Sequence, residues 1–165
     1  MILKLSGEIN DDMFDNLIRH YNLLENEEPL IIYLNSHGGW YAIMECMIDL
    51  INRHTDRTIL VAYDTIASCA FELFYSVTCH RELLGGCRGM YHQSSITMSV
   101  NENGKATDPE SKSLNDYVKI HLKPRTIDLC KRLKFTTTEL QDIKKNYDVW
   151  FQTKRLQQFL TQSYE

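Results

Sequence analysis

The sequence predicts an α/β fold of stacked βαβ units, and three observations carry that expectation. Two continuous apolar runs rich in β-branched residues, 30–34 (LIIYL) and 58–63 (TILVAY), have the length and character of strands covered on both faces in a parallel sheet. A helix-length segment, 40–54, separates them. Strand, helix and strand in that order imply a right-handed crossover, with any ligand site at the carboxyl ends of the strands.

The remaining elements follow in chain order. Residues 1–5 are short and apolar and read as a first strand; Asn10-Asp11-Asp12 then suits a helix start. Met13, Phe14, Leu17, Ile18, Tyr21 and Leu24 recur at three- and four-residue intervals, so one helical face points to the core. Past the second apolar run, residues 69–75 read as a buried helix, Gly85-Gly86 as a turn, and Met90-Tyr91-His92 as the end of a short strand. Residues 94–108 are polar and fit an exposed hairpin or loop around Asn103-Gly104. Pro109 opens the next element, and 110–133 is helical in patches, with Pro124 expected to kink or split it. Thr136-Thr137-Thr138-Glu139 reads as a further helix start, with Thr137 or Thr138 as the cap.

Composition narrows the class. A chain of 165 residues fits one domain, 1–165, that buries a core without disulfides or structural metal. Hydrophobic residues at 43% and charged ones at 24% are ordinary for a soluble globular protein. The formal net charge of -4, with no dense Lys/Arg run, argues against nucleic acid as a partner. No apolar stretch is long enough to span a bilayer and the start has no secretory character, so a cytoplasmic protein without a membrane partner is expected. The cysteines, Cys46, Cys69, Cys79, Cys87 and Cys130, are odd in number and form no CxxC pair, which favours free thiols. Cys79, His80, Cys87 and His92 match no regular zinc spacing, so no metal is expected.

Two loops at the strand ends carry the candidate chemistry: Asn35-Ser36-His37-Gly38-Gly39 and Asp64-Thr65-Ile66-Ala67-Ser68. A serine that opens a helix after a buried strand presents its hydroxyl beside free helix N–H groups. The Cys69 N–H, together with Gly38 or Gly39, would then form a pair of oxyanion donors. By position alone, Ser68 equally suits a plain helix cap, His92 a structural imidazole, Asp148 a solvated loop acid and Cys69 a small buried hydrophobe. His37 in the first loop reads as an incidental surface group.

Order and spacing along the chain add a further reading. Residues 31–39 (IIYLNSHGG) stand where the Clp protease proteolytic subunit has a strand followed by Asn-Ser-Pro-Gly-Gly, and the sequence resembles that family. Ala67-Ser68-Cys69-Ala70-Phe71 matches its Ala-Ser-Met-Gly-Ala-Phe nucleophile, and Met90-Tyr91-His92-Gln93 matches its Met-Ile-His-Gln base. Gly104-Lys105-Ala106-Thr107-Asp108 matches Gly-x-Ala-Thr-Asp, and Asp148 falls where the acid ends a charged helix. The resemblance spans about residues 2–152, and the joint order is more specific than any one motif. It implies a crotonase-like, ClpP-like fold with a helical handle at about 108–133, assembled into a homo-oligomeric ring. It implies a serine endopeptidase acting on peptides or unfolded protein, with Ser68, His92 and Asp148 as triad and Gly38, Gly39 and Cys69 as oxyanion hole. No metal or organic cofactor is implied.

The sequence also departs from the family pattern. His37 replaces a proline, Ala70 a glycine beside the nucleophile, and Val149 an arginine that pairs between rings. These changes support a second reading, a catalytically impaired ring subunit with a scaffold or regulatory role. An acyl-CoA hydratase or hydrolase is a third, and the triad order argues against it. An AAA+ unfoldase partner has thin support: the chain starts at the first strand without an axial segment, and Tyr33 keeps one docking aromatic while Ile31 replaces another. A shortened chain of this kind fits a viral source as well as a cellular one.

Overall fold

In the computed structural model, which describes residues 1–25, 28–93 and 109–162, β1 (Ile2–Ile9) and β2 (Leu30–Gly39) pair in parallel across α1 (Asp11–Leu23). The Asn10 side chain accepts the Met13 N–H at 3.1 Å and starts α1, whose Met13, Leu17 and Tyr21 are buried at the expected spacing. A second helix, α2 (Tyr41–Asn52), crosses to β3 (Thr58–Ala67), which is parallel to β2. The expected βαβ unit is therefore present.

Both central strands run past their apolar segments because pairing continues through an irregular register between Leu34 and Ser36. Asn35 holds the irregularity together: its Oδ1 accepts the Thr65 N–H and its Nδ2 donates to Asp64 Oδ2, each at 3.3 Å. Burial differs from the sequence expectation. Leu30, Ile32 and Leu34 are buried while Ile31 and Tyr33 are only half-buried, so β2 is packed on one face and lightly covered on the other. On that lighter face Tyr33 meets Tyr63 edge-on, with ring centroids 6.3 Å apart.

Beyond β3 come α3 (Cys69–Ser76), β4 (His80–Leu83) and β5 (Arg88–Tyr91). β4 pairs with the first half of β3 and β5 with the second, both in parallel. The last strand, β6 (Val149–Phe151), closes the order β1-β2-β3-β5-β6 antiparallel to β5. The polar stretch 94–108, with its expected turn and the 104–108 motif, lies outside the described residues.

Pro109 opens α4 (Pro109–Tyr117), as expected, and α4 reaches α5 (Lys123–Arg132) through one wide π turn, Val118–Leu122. Pro124 is the reason: its ring would press on the carbonyl four residues back and it offers no N–H, and a widened turn relieves both. Helical residues run from Pro109 to Arg132 without a break, with the π turn where the sequence predicts a kink or split. Next, α6 (Thr137–Lys144) is capped by Thr136 rather than by Thr137 or Thr138. The Thr136 hydroxyl oxygen accepts the Glu139 N–H at 3.2 Å and Glu139 accepts the Thr136 N–H at 2.6 Å. That reciprocal box needs Glu or Gln three residues after the cap, and the structure forms it with Thr136 and Glu139. The chain's final described helix, α7 (Thr153–Gln162), buries Leu156, Phe159 and Leu160. Phe159 stacks on Phe135 with centroids 4.8 Å apart and meets Phe71 of α3 edge-on at 6.1 Å. Among the described residues no helix is long and apolar enough to cross a membrane.

Candidate active site

A single residue, Ser68, separates the end of β3 from the start of α3. Its backbone sits at φ 54°, ψ -121°, a region that costs a residue with a Cβ about 1–3 kcal/mol. A plain cap would turn the hydroxyl onto the helix N–H groups, but the Ser68 side chain makes no cap bond. Its Oγ instead lies 2.8 Å from His92 Nε2.

His92 follows β5 directly, and Asp148 directly precedes β6. The antiparallel register pairs Tyr91 with Val149, so the next step of the ladder sets His92 opposite Asp148. His92 Nδ1 lies 3.1 Å from Asp148 Oδ1. The three residues singled out by the resemblance thus form one hydrogen-bonded line, with the Asp148 end open to solvent. An imidazole held between a hydroxyl and a carboxylate can take a proton from the first while the second stabilises its charge.

The glycine turn closes the site from the β2 side. Gly38 has φ 103°, and a Cβ there would lie 2.8 Å from Ser68 Cβ and 2.9 Å from the Ala67 carbonyl oxygen. Only glycine lets β2 come this close to the nucleophile turn. Gly39, at φ 150°, is held by β1, since a Cβ would sit 2.3 Å from the Ile9 carbonyl oxygen. The Gly38 N–H donates to Ser36 Oγ at 3.0 Å, on a serine that is itself fully buried. Cys69 is the first residue of α3, so its N–H has no acceptor within the helix.

Cys69, Ala70 and His37 are sorted by their surroundings. The Cys69 thiol donates to the Gly39 carbonyl at 3.2 Å. Burial, with the nearby Glu72 carboxylate adding to it, pushes that thiol up to about 11, so it stays protonated at neutral pH. Ala70 is fully buried in the core cluster, so its methyl group points into packing and not into the site. His37 is exposed on the turn.

Two features were not read from the sequence. The first is Glu72, a carboxylate with 3% of its side chain exposed. Arg125 Nε of α5 bonds its Oε1, and the Tyr91 O–H donates to its Oε2 at 3.1 Å. Burial pushes the Glu72 carboxyl up, and Arg125 opposes that push. Its signal in the sequence was a lone acid within the otherwise apolar CAFELFYS helix, which demands a cation from elsewhere in the chain. The second is a cavity of about 240 Å³ lined by Gln93, the residue after His92 in the chain, by Thr126, Ile127, Cys130, Leu140 and Ile143, and by the two lysines Lys123 and Lys144. It lies between the consecutive helices α5 and α6, and Gln93, which stands thirty residues before α5, could not be joined to them by pattern.

Comparisons with known proteins agree with this architecture. The family model for Clp protease matches residues 1–151. The chain is similar in structure to a ClpP1 variant from Listeria monocytogenes, with a TM-score of 0.73 and 17% identity, over 96% of this chain and 86% of that one. At that identity the likeness speaks for the fold. No curated protein matches the chain in sequence.

Proposed function

Since the chain belongs to the Clp protease family, we propose that it is a serine endopeptidase that hydrolyses peptide bonds through Ser68, His92 and Asp148, working as a single-domain subunit of a homo-oligomeric cytoplasmic ring. The observation that carries the reading is the 2.8 Å approach of Ser68 Oγ to His92 Nε2 from a strained turn that has no capping use for the hydroxyl.

In this mechanism His92 Nε2 takes the Ser68 proton as Oγ attacks the substrate carbonyl carbon, and Asp148 orients the imidazolium. The tetrahedral oxyanion is met by the Cys69 N–H and by the glycine turn. Collapse breaks the C–N bond, and the amine leaves with the proton from His92. A water molecule then repeats the sequence on the acyl ester, freeing the acid and restoring Ser68. The cavity that Gln93 helps to line offers a largely apolar recess for a substrate side chain. No step calls for a metal or an organic cofactor.

The second reading, an impaired ring subunit with a scaffold or regulatory role, draws on the Gly38 N–H, which Ser36 occupies. One oxyanion donor is worth about 2.7–4 kcal/mol in such enzymes, so a turn that kept this donor on Ser36 would slow acyl transfer severely. A fluorophosphonate probe followed by peptide mass spectrometry separates the two. The expected result is an adduct on Ser68 that is absent in Ser68→Ala. An adduct on Cys69, or full peptidase activity in Ser68→Ala, would overturn the mechanism. For the ring, α4, the π turn and α5 expose Tyr117, Ile120 and Ile127 respectively, in the segment expected to serve as the handle. Light scattering should find a ring-sized assembly at micromolar concentration, and a strict monomer would refute it.

A further inference from the structure

Glu72 sits one helical turn beyond Ser68, and its own N–H donates to the Ser68 carbonyl at 3.1 Å. Its carboxylate reaches the other segments that supply reacting groups. The Tyr91 hydroxyl donates to Oε2, and Tyr91 immediately precedes His92. Arg125 Nε binds Oε1, while the same guanidinium reaches Glu45 of α2 at 2.8 Å. That guanidinium also lies over the ring of Tyr41, 5.5 Å from its centroid. Tyr41 opens α2 just after the Gly38–Gly39 turn. One buried carboxylate is thus bonded, directly or through Arg125, to the nucleophile helix, the base strand and the helix that follows the oxyanion turn.

Packing alone does not call for an acid here. Phe71, Leu73 and Phe74 surround the position in sequence and are all fully buried, and a buried ion pair is often replaceable by apolar side chains without loss of stability. What a leucine could not do is accept the Tyr91 hydroxyl. We propose that Glu72 is a positioning residue for the Ser68–His92 pair, which fixes the nucleophile turn against the base strand through the Tyr91 hydroxyl, with Arg125 as its counter-ion. This rests on the peptidase reading above.

The test uses the full chain, measuring its phosphonylation by a fluorophosphonate and its steady-state hydrolysis of p-nitrophenyl acetate. Tyr91→Phe deletes one hydroxyl and leaves the ring in place against Phe71, 5.1 Å away between centroids. It should lower kcat about tenfold to a hundredfold with KM unchanged, the scale of a small displacement in a positioned pair. Glu72→Leu should do the same, and Glu72→Gln, which still accepts the hydroxyl, should recover most of the loss. The double variant Tyr91→Phe with Glu72→Leu should be no slower than the slower single one, because both changes remove the same bond. Wild-type kcat in Tyr91→Phe, or losses that multiply in the double variant, would overturn the proposal. Should Glu72→Leu fail to fold, Tyr91→Phe decides alone. If Ser68 of the wild-type chain is not labelled, the peptidase reading falls and takes this role with it. If Ser68 is labelled while Tyr91→Phe keeps full kcat, only the positioning role falls.

Discussion

Ser68 and Met90 are joined backbone to backbone, the Ser68 N–H donating to the Met90 carbonyl at 2.8 Å. The bond carries the β3–β5 ladder past the Ala67–Met90 pair and into the turn itself. The strand that leads to His92 two residues later therefore also holds Ser68 in its unfavourable conformation.

That strain predicts a split between activity and stability. Ser68→Ala and Ser68→Gly should both abolish labelling and hydrolysis. Glycine adopts φ 54°, ψ -121° without a Cβ conflict, so Ser68→Gly should be more stable than Ser68→Ala by about 1 kcal/mol, after its extra chain entropy is subtracted. Urea denaturation measures the difference, and equal midpoints would show that the turn stores no strain.

Gly38→Ala should be the methyl addition that strikes the nucleophile turn directly. The new Cβ meets Ser68 Cβ and the Ala67 carbonyl at under 3 Å, and its φ of 103° is unfavourable as well. Loss of most hydrolytic activity with a fall in Tm of several degrees is expected. Gly86→Ala is the control: its φ of 84° is strained too, but no atom lies within 4 Å of a Cβ there. It should cost about 1 kcal/mol and leave kcat untouched.

Much of this architecture could be read from the chain, and what escaped has a physical cause. The central strands announce themselves by β-branched runs, and α1 by its apolar period. β4 and β6 have four and three residues, too few for any period to show, and in β4 Arg81 lies buried where alternation would suggest an apolar residue. The cap of α6 falls on Thr136 and not on Thr137 or Thr138, because three threonines stand in a row and the box made with Glu139 selects the first. At the site, Ser68 and the glycines stood out through their place after buried strands. His92 and Asp148 required the resemblance, since the antiparallel register that joins them is set by a three-residue strand. Glu72 was hidden because its cation lies 53 residues away.

Thiol chemistry should follow burial. Cys46 is the exposed thiol, whereas Cys69, Cys79 and Cys87 are pushed up to about 11 by burial and Cys130 to about 12. Iodoacetamide at pH 8 should therefore modify Cys46 first in the folded protein, with the other four reacting only on unfolding. Peptide mapping checks this, and early alkylation of Cys69 would contradict the geometry of the nucleophile turn.

Stability should respond to pH through Glu139. Burial acts to raise its carboxyl pKa, but the Arg155 guanidinium and the Thr136 N–H outweigh that and hold it below the usual value. For an acid depressed in the folded state, the stabilisation is present above the unfolded pKa and is lost as pH falls through the folded one. Glu139→Gln should thus lower Tm at pH 7, with the gap closing as pH drops below the ordinary glutamate pKa of about 4.3. A gap independent of pH would assign the effect to the cap alone.

The π turn at Val118–Leu122 has a consequence for direction. Each residue of an α-helix turns the thread by about 100°, so the extra residue in this turn fixes the azimuth at which α4 leaves α5. Tyr117 and the residues before it owe their heading to that phase offset. Removing one residue from 118–122 would rewind the screw, swinging α4 by about a quarter turn and bringing Pro124 back into conflict with the carbonyl behind it.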